Sequence, residues 1–438
     1  MNLPNARSPG AASTATSTVA ATSVAAPLAG IRVIDFSHFV AGPFAAMQLA
    51  DLGAEVIKVE NPVRGDEFRH YPPYDERLAG EGAPFLWTNR NKKGVAIDLK
   101  SPEGLRVVKA LIQQADVVIE NFSSGVMERL GLSYAACSAD NPKLVYCSVS
   151  AYGREGAFAD RLGFDPVVQA ESGFISMNGY ADRQGVRTGP STMDIGTAML
   201  ASNAILAALF ERSRSGHGQQ LEVSLFEGAV TMLGFAAMQS LFNEITPGRH
   251  GNSSPDTAPT GVFHASDGDI YIACTSTPIY QRLFTAIGRE DLAHDATLAT
   301  KAARLEHRDQ LFEVLNSALS KDTRENWQAK FRAARIPAGS VRTVPEALHS
   351  PESQARGIVS RIPHPTAGSI PNVASAIRLK RTPVVAPRAA PILGQHTDEV
   401  LRDVLGYDDA RLHELARSGG LGEARRSAGA AQKESGHA

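Results

Sequence analysis

From Leu28 onward the chain alternates short β-rich runs with longer segments of helical spacing. Ile31–Phe36 (IRVIDF), Ala54–Glu60 (AEVIKVE), Gly94–Lys100 (GVAIDLK), Asp116–Phe122 (DVVIENF) and Lys143–Ser150 (KLVYCSVS) read as strands. Phe44–Leu52 carries helical apolar spacing, with Pro43 suited to a first turn and Gly53 to the residue just past the end. Ser101-Pro102-Glu103 reads as N-cap, first helical position and first-turn acid, opening a helix that runs to about Ala115. Strands separated by helices in this way predict βαβ units and a mainly parallel α/β sheet. Ligands in such sheets sit beyond the carboxyl ends of the strands. The informative loops are therefore Ser37–Gly42, Asn61–Asp66, Lys100–Pro102, Asn121–Gly125 and Ala151–Asp165.

The pattern changes further along. Gly196–Ser213 is apolar nearly all round and predicts a buried helix. Gln220–Leu225 alternates like a strand, and Phe226–Phe242 reads as a second apolar helix. Ile245–Thr260 is dense in Pro, Gly, Ser and Asn and predicts a linker. A hairpin within Gly261–Ala273, turning at Ser266-Asp267-Gly268, opens a smaller domain with helices around Ile279–Ile287, Leu305–Ser317 and Arg324–Ala333. Ile336–Pro391 is punctuated by proline, and Thr397–Val404 reads as a final helix.

Length sharpens this division: 438 residues predict two or three domains. Hydrophobic residues make up 43% and charged residues 21%, a globular composition. With 44 basic and 46 acidic residues the net charge of −2 gives no reason to expect a nucleic-acid or membrane partner. No run approaches eighteen uninterrupted apolar residues, so no transmembrane helix is expected. The three cysteines, Cys137, Cys147 and Cys274, are widely spaced, which argues against a disulfide framework or structural zinc and for a reducing, cytoplasmic setting. Residues 1–26, mostly Ala, Ser, Thr and Pro, and residues 419–438 read as disordered tails.

The candidate chemistry gathers at Gly163–Gly196, which ends with Asp194 before the apolar helix. A carboxylate there is either an N-cap or an anion favoured by the helix dipole, with backbone N–H groups nearby to stabilise an oxyanion and a carbonyl to attack. GxGxxG, GxxxxGK[ST] and HExxH are all lacking, which disfavours nucleotide-dependent dehydrogenases, P-loop enzymes and zinc hydrolases; no metal site is predicted. His38 and His70 lie in loops without an interpretable triad. The loop charges Arg69, Arg90, Lys92 and Lys93 read as solvated, with phosphate contact as the alternative.

The run PLAGIRVIDFSHFVAGPFAAMQLADLGAEVIKVENPVRGDEFR resembles the opening of the family III CoA-transferases, the formyl-CoA, carnitine and bile-acid CoA-transferase group. NRNKKGVAIDLKSPEG, DVVIENFSSGVMERLGL, GFDPVVQAESG, GHGQQLEVSLFEG and LGQHT continue the match in order, from Leu28 to about Leu415. The resemblance implies a large Rossmann-like domain over residues 27–244, a linker over 245–260 and a small α+β domain over 261–345. A return linker over 346–390 and a final part of the large domain over 391–418 complete it, in an interlocked homodimer. It also places the catalytic aspartate at Asp194. CoA contacts are implied at Val40, Ala41, Asn61, Leu99, Lys100, Ser101, Pro102, Asn121, Phe122, Ser123, Arg129, Leu162, Gly163, Phe164 and Asp165, with His38 and Arg69 facing the acyl end. The implied reaction moves CoA from an acyl-CoA donor to a carboxylic acid through an aspartyl anhydride and thioester, with the CoA thioester as substrate and no permanently bound cofactor.

Two departures refine this. The related α-methylacyl-CoA racemases pair the aspartate with a histidine thirty residues earlier, where this chain has Phe164. Racemisation needs an acid/base group on each face of the α carbon, and phenylalanine supplies none, so transfer is favoured over this alternative. GNSSPDTAP replaces the glycine run of formyl-CoA transferases, which points toward succinyl-CoA-like donors rather than formate or oxalate. One subunit of a hetero-oligomeric CoA-transferase is the remaining alternative.

Overall fold

The computed structural model describes residues 24–78 and 81–422. The expected tails lie largely outside them, but residues 419–422 pack on the fold: the Asp98 N–H donates to the Gly420 carbonyl at 3.0 Å, and Leu421 is buried.

Six parallel strands form the main sheet: β1 (Arg32–Asp35), β2 (Glu55–Glu60), β3 (Lys92–Ala96), β4 (Val117–Glu120), β5 (Val145–Ser150) and β6 (Gln220–Ser224). Their order is β3-β2-β1-β4-β5-β6, so the chain reverses direction across the sheet between β1 and β4. A crevice at such a switch point is where open α/β sheets place their ligands. The third strand begins at Lys92 rather than Gly94, because its two lysines are neutralised by side chains of neighbouring elements.

Helix α1 (Ala41–Asp51) follows β1, α2 (Ala83–Asn89) precedes β3, and α3 (Pro102–Gln113) follows it. Beyond β5 come α4 (Asp165–Glu171) and the 24-residue α5 (Thr192–Ser215). One sheet face is covered by α1, α5 and α6 (Leu225–Met232), with Ala45, Leu49, Val117, Cys147, Ala198, Ala201 and Ile205 in the core. The other is covered by α3 and two late helices, Thr397–Leu405 and Asp409–Arg417, the second of which the apolar pattern does not reveal. The three cysteines are buried and unpaired.

The apolar segment after β6 is two helices, not one. Gly234, at φ 59°, breaks it between α6 and α7 (Phe235–Asn243), which meet at 77°. Helix α5 also corrects the membrane expectation: by length and composition it is long and apolar enough to cross a bilayer, because its polar residues are mostly uncharged. Its Ala198, Ala201, Ile205 and Ala208 face packs into the core with Ala45 and Leu49 of α1, while Met199, Leu200 and Phe210 stay exposed, so the helix expected to be buried is buried along one face only.

The smaller unit holds β7 (Gly261–Ala265), β8 (Gly268–Ile272) and β9 (Ala338–Ser340), antiparallel, over a core that includes Phe263, Tyr280, Phe284, Trp327 and Phe331. The proline-punctuated segment contains an unforeseen hairpin, β10 (Val359–His364) and β11 (Gly368–Val373). The chain then returns to the main sheet: Gly94 N–H donates to His396 Nδ1 at 3.1 Å and Ala96 N–H to Thr397 Oγ1 at 3.1 Å.

Candidate active site

A helix connecting two parallel strands runs opposite to them, so the N-terminus of α5 lies at the carboxyl edge of the sheet. Asp194 is the third residue of α5 and half-buried. It is not the cap. Ser191 stands at the N-cap position without a side-chain cap bond, and that role falls to Asp165 from the start of α4. Asp165 Oδ2 accepts the N–H of Met193 at 2.6 Å and of Asp194 at 3.3 Å. Gln169 Nε2 donates to Asp165 Oδ1 at 2.6 Å, and Gln169 Oε1 accepts the Thr188 N–H at 2.9 Å. Asp165 and Gln169 are both buried. The first-turn donors of Met193 and Asp194 are thus bonded within the protein.

The Asp194 carboxyl is pushed up to about 7, first by burial and then by the Asp165 charge beside it. Gly196, on the same turn, lies against the Met232 side chain of α6: a Cβ there would come 2.8 Å from the Met232 methyl, which would have to swing aside. At neutral pH the group is divided between a neutral acid and a desolvated carboxylate, and a desolvated carboxylate is the more reactive nucleophile.

Across the switch point the loop after β1 is held from two sides. His38 N–H donates to Asn121 Oδ1 at 2.8 Å, and Asn121 Nδ2 returns a bond to the His38 carbonyl at 2.9 Å. Asp66 Oδ1 accepts the Phe39 N–H at 3.1 Å, while Lys58 Nζ bonds the Ser37 carbonyl at 2.6 Å and Asp66 at 3.0 Å. Burial opposes ionisation of Asp66, but Lys58 holds its carboxyl well below the usual range. These ties keep Phe39 at φ 64°, a strained backbone for a residue with a bulky side chain. The Phe39 ring packs edge-on against Phe164 at 5.9 Å, Tyr71 at 5.8 Å and Phe68 at 6.2 Å. Phe164 is 62% exposed and forms an apolar wall beside α4, where the racemases carry their histidine.

The other expected contacts divide by environment. Val40 and Ala41 are buried at the start of α1. Leu99, Lys100, Ser101 and Pro102 form the half-exposed entry to α3, and Asn121, Phe122 and Ser123 the exit from β4, with Phe122 5.6 Å from the His38 ring. Arg129 and Leu162 are exposed, and Gly163 is half-buried. Asn61 Oδ1 accepts its own loop's Val63 and Arg64 N–H groups at 2.9 and 3.2 Å. The Asp165 carboxylate is buried and hydrogen-bonded within the protein.

Four loop charges are neither solvated nor poised for phosphate. Arg69 is buried against Glu60 at 2.7 Å and Glu81 at 2.6 Å, stacked 3.6 Å from Phe85, and does not face an acyl group. Arg90 pairs with Asp51 at 2.5 Å and Lys92 with Asp35 at 2.8 Å, while Lys93 bridges Glu55 and Glu399 at 3.0 and 2.9 Å. Their partners are distant in sequence, so local spacing gives no sign of them.

The profile described as CoA-transferase family III matches residues 28–397. The chain is 36% identical over 382 residues to the succinate–glutarate CoA-transferase of Agrobacterium fabrum, covering 86% of this chain and 96% of that protein. It is 31% identical over 394 residues to the human succinyl-CoA:glutarate CoA-transferase, covering 90% and 89%. The crystal structure of a CAIB/BAIF family protein from Brucella suis superposes with a TM-score of 0.79 at 33% identity, covering 87% of this chain and all of that one. With the profile spanning most of the chain and a matching parallel-sheet fold, the protein is an enzyme of CoA-transferase family III.

Proposed function

We propose that the enzyme moves CoA from succinyl-CoA or a similar donor to a carboxylic acid, with Asp194 as the acyl carrier. The observation that carries this reading is the half-buried Asp194 carboxyl, raised to about 7 in the first turn of α5. Asp194 attacks the donor thioester carbonyl, the C–S bond breaks, and an acyl-aspartyl anhydride forms with release of CoA thiolate. The thiolate attacks the aspartyl carbonyl, expelling the donor carboxylate and leaving an aspartyl-CoA thioester. The acceptor carboxylate then repeats the two steps in reverse, regenerating Asp194. No net proton or electron is consumed, and the thioester supplies the activation, so the proposal includes no permanently bound cofactor. The succinyl preference is supported by the Agrobacterium and human relatives, a succinate–glutarate and a succinyl-CoA:glutarate CoA-transferase.

The purified single chain, offered succinyl-CoA or acetyl-CoA with a panel of mono- and dicarboxylic acids, is expected to yield new acyl-CoA masses. A 2-methylacyl-CoA in deuterated solvent is expected to take up no deuterium at its α carbon. Deuterium uptake without exchange would establish the racemase alternative, and exchange only after adding a second, unlike chain would establish the hetero-oligomer.

A homodimer is part of the same proposal. Helix α7 leaves Phe235, Met238, Leu241 and Phe242 exposed at helical spacing, the last two at 77% and 79%, and such a face marks a protein interface. The wild type should sediment as a dimer at about micromolar concentration, and Leu241→Asp with Phe242→Asp should weaken association roughly 100-fold. A monomeric wild type refutes the dimer.

A further inference from the structure

The cap of α5 comes from outside the helix. Every other capped helix of eight or more residues among those described takes its side-chain cap from the residue at its own N-cap position, as Ser224 does for α6 and Thr323 for Arg324–Ala333. At α5 the donors of Met193 and Asp194 turn instead to a carboxylate that is 28 and 29 residues away, respectively. That carboxylate is buried and fixed by the equally buried Gln169, which also holds Thr188 in the loop leading into α5. A second bond, Thr188 Oγ1 to Thr192 Oγ1 at 2.8 Å, joins the loop to the helix.

We propose that Asp165 is a positioning residue: with Gln169 it fixes the first turn of α5 and so aims the Asp194 carboxylate at the acyl carbon. The inference rests on Asp194 being the acyl carrier. The relay has a polarity that a single Asp165→Asn change breaks. Asp165 accepts on both oxygens, and Gln169 donates on one side and accepts on the other. Asparagine at 165 would turn a donor toward Gln169 Nε2, and flipping Gln169 would then set its amide donor against the Thr188 N–H. An exchange of the two groups, Asp165→Asn with Gln169→Glu, restores every bond: the asparagine oxygen accepts from Met193 and Asp194, its amide donates to the new glutamate, and that glutamate accepts from Thr188.

The exchange also moves the negative charge away from Asp194. Asp165 is the one described charged group that raises the Asp194 carboxyl. Other titrating groups on the elements against α5 are engaged elsewhere: Glu171 with Tyr152 and Arg161, Glu227 with Ser224, Glu222 with the Arg154 backbone, and Asp51 with Arg90. Cys147 of β5 is a neutral thiol pushed up to about 12.

The test measures kcat, KM for the acyl-CoA and the acid limb of the rate profile. Asp165→Asn is expected to lower kcat by roughly 10- to 100-fold, to leave KM within about threefold, and to move the acid limb to lower pH. The double exchange is expected to recover most of kcat while its acid limb stays below that of the wild type. Gln169→Ala, which keeps the charge, is expected to lower kcat without moving the limb, and it carries the test should Asp165→Asn fail to fold. A wild-type kcat in Asp165→Asn or in Gln169→Ala overturns the inference, as does a loss confined to KM or a double exchange no better than Asp165→Asn. Exchange that survives in Asp194→Ala instead overturns the assignment of the acyl carrier, so the two failures are distinct.

Discussion

Asp194→Ala is expected to lower CoA exchange by about 10³-fold or more while acyl-CoA still binds within about threefold of the wild-type Kd. The loss is large because both covalent intermediates are formed on this carboxylate. Incubated with acyl-CoA and no acceptor, the wild type should gain the mass of an aspartyl-CoA adduct and the variant should not. Asp194→Asn separates reactivity from stability. The Asp194 carboxyl stands at about 7 in the folded protein against an ordinary 3.8, so between those values the fold holds a proton that the unfolded chain gives up. That contribution is complete below about pH 4 and is lost as pH rises through 7. Asparagine carries no such penalty, so the variant should melt a few degrees above the wild type at pH 8 and alongside it at pH 4. Wild-type exchange should rise with pH through about 7, as the nucleophile ionises. Equal exchange in wild type and Asp194→Ala would remove the residue from the mechanism.

The position of Asp194 at the mouth of an apolar helix is legible in the chain, and so is the ladder of parallel strands, whose short β-rich runs stand between helices of characteristic spacing. The helix start is less so. Local spacing favours a cap at Asp194, yet the cap is Asp165, and a bond spanning 28 residues has no signature in the spacing of neighbours. The buried charges were obscured for the same reason: Arg69, Arg90 and Lys92 sit in loop-like or strand-edge sequence, and their carboxylates come from β2, α1 and β1. The β10–β11 hairpin escaped because Pro363 and Pro371 argue against a strand. They are tolerated in a two-stranded ribbon, where each strand has an unpaired edge. Phe164 was informative in a different way. Its chemistry alone argues against proton transfer, and the structure adds that its exposed ring leans on the strained Phe39 beside α4.

Lys92→Met is expected to destabilise the fold by about 3–5 kcal/mol, the cost of leaving one partner of a buried pair uncompensated. The Lys92 ammonium is saturated by three acceptors: Asp35 Oδ2 at 2.8 Å, the Pro43 carbonyl at 2.8 Å and Asn89 Oδ1 at 2.7 Å. Burial pulls it down to about 8, with Asp35 opposing that fall, so it remains mostly charged at neutral pH. Burial likewise penalises the Asp35 charge, but Lys92 and Lys58 hold that carboxyl below its ordinary value. Methionine fills the space of the lysine stem and offers nothing to Asp35, which also holds the Ser37 N–H at 2.9 Å. Ser37 leads directly into the strained Phe39 turn, so the loss should reach the acyl site as well as the core. The pair as a unit need not favour folding, because desolvation offsets most of its attraction. Adding Asp35→Asn to Lys92→Met should therefore recover a large part of the loss: the asparagine oxygen still accepts from Ser37, and the stranded charge is gone. Urea denaturation of the wild type, both single variants and the double variant measures this coupling. A Lys92→Met unfolding free energy within about 1 kcal/mol of wild type, or a double variant less stable than the sum of both single losses, would show that the pair is not the buried tie between β1 and β3 that its geometry describes.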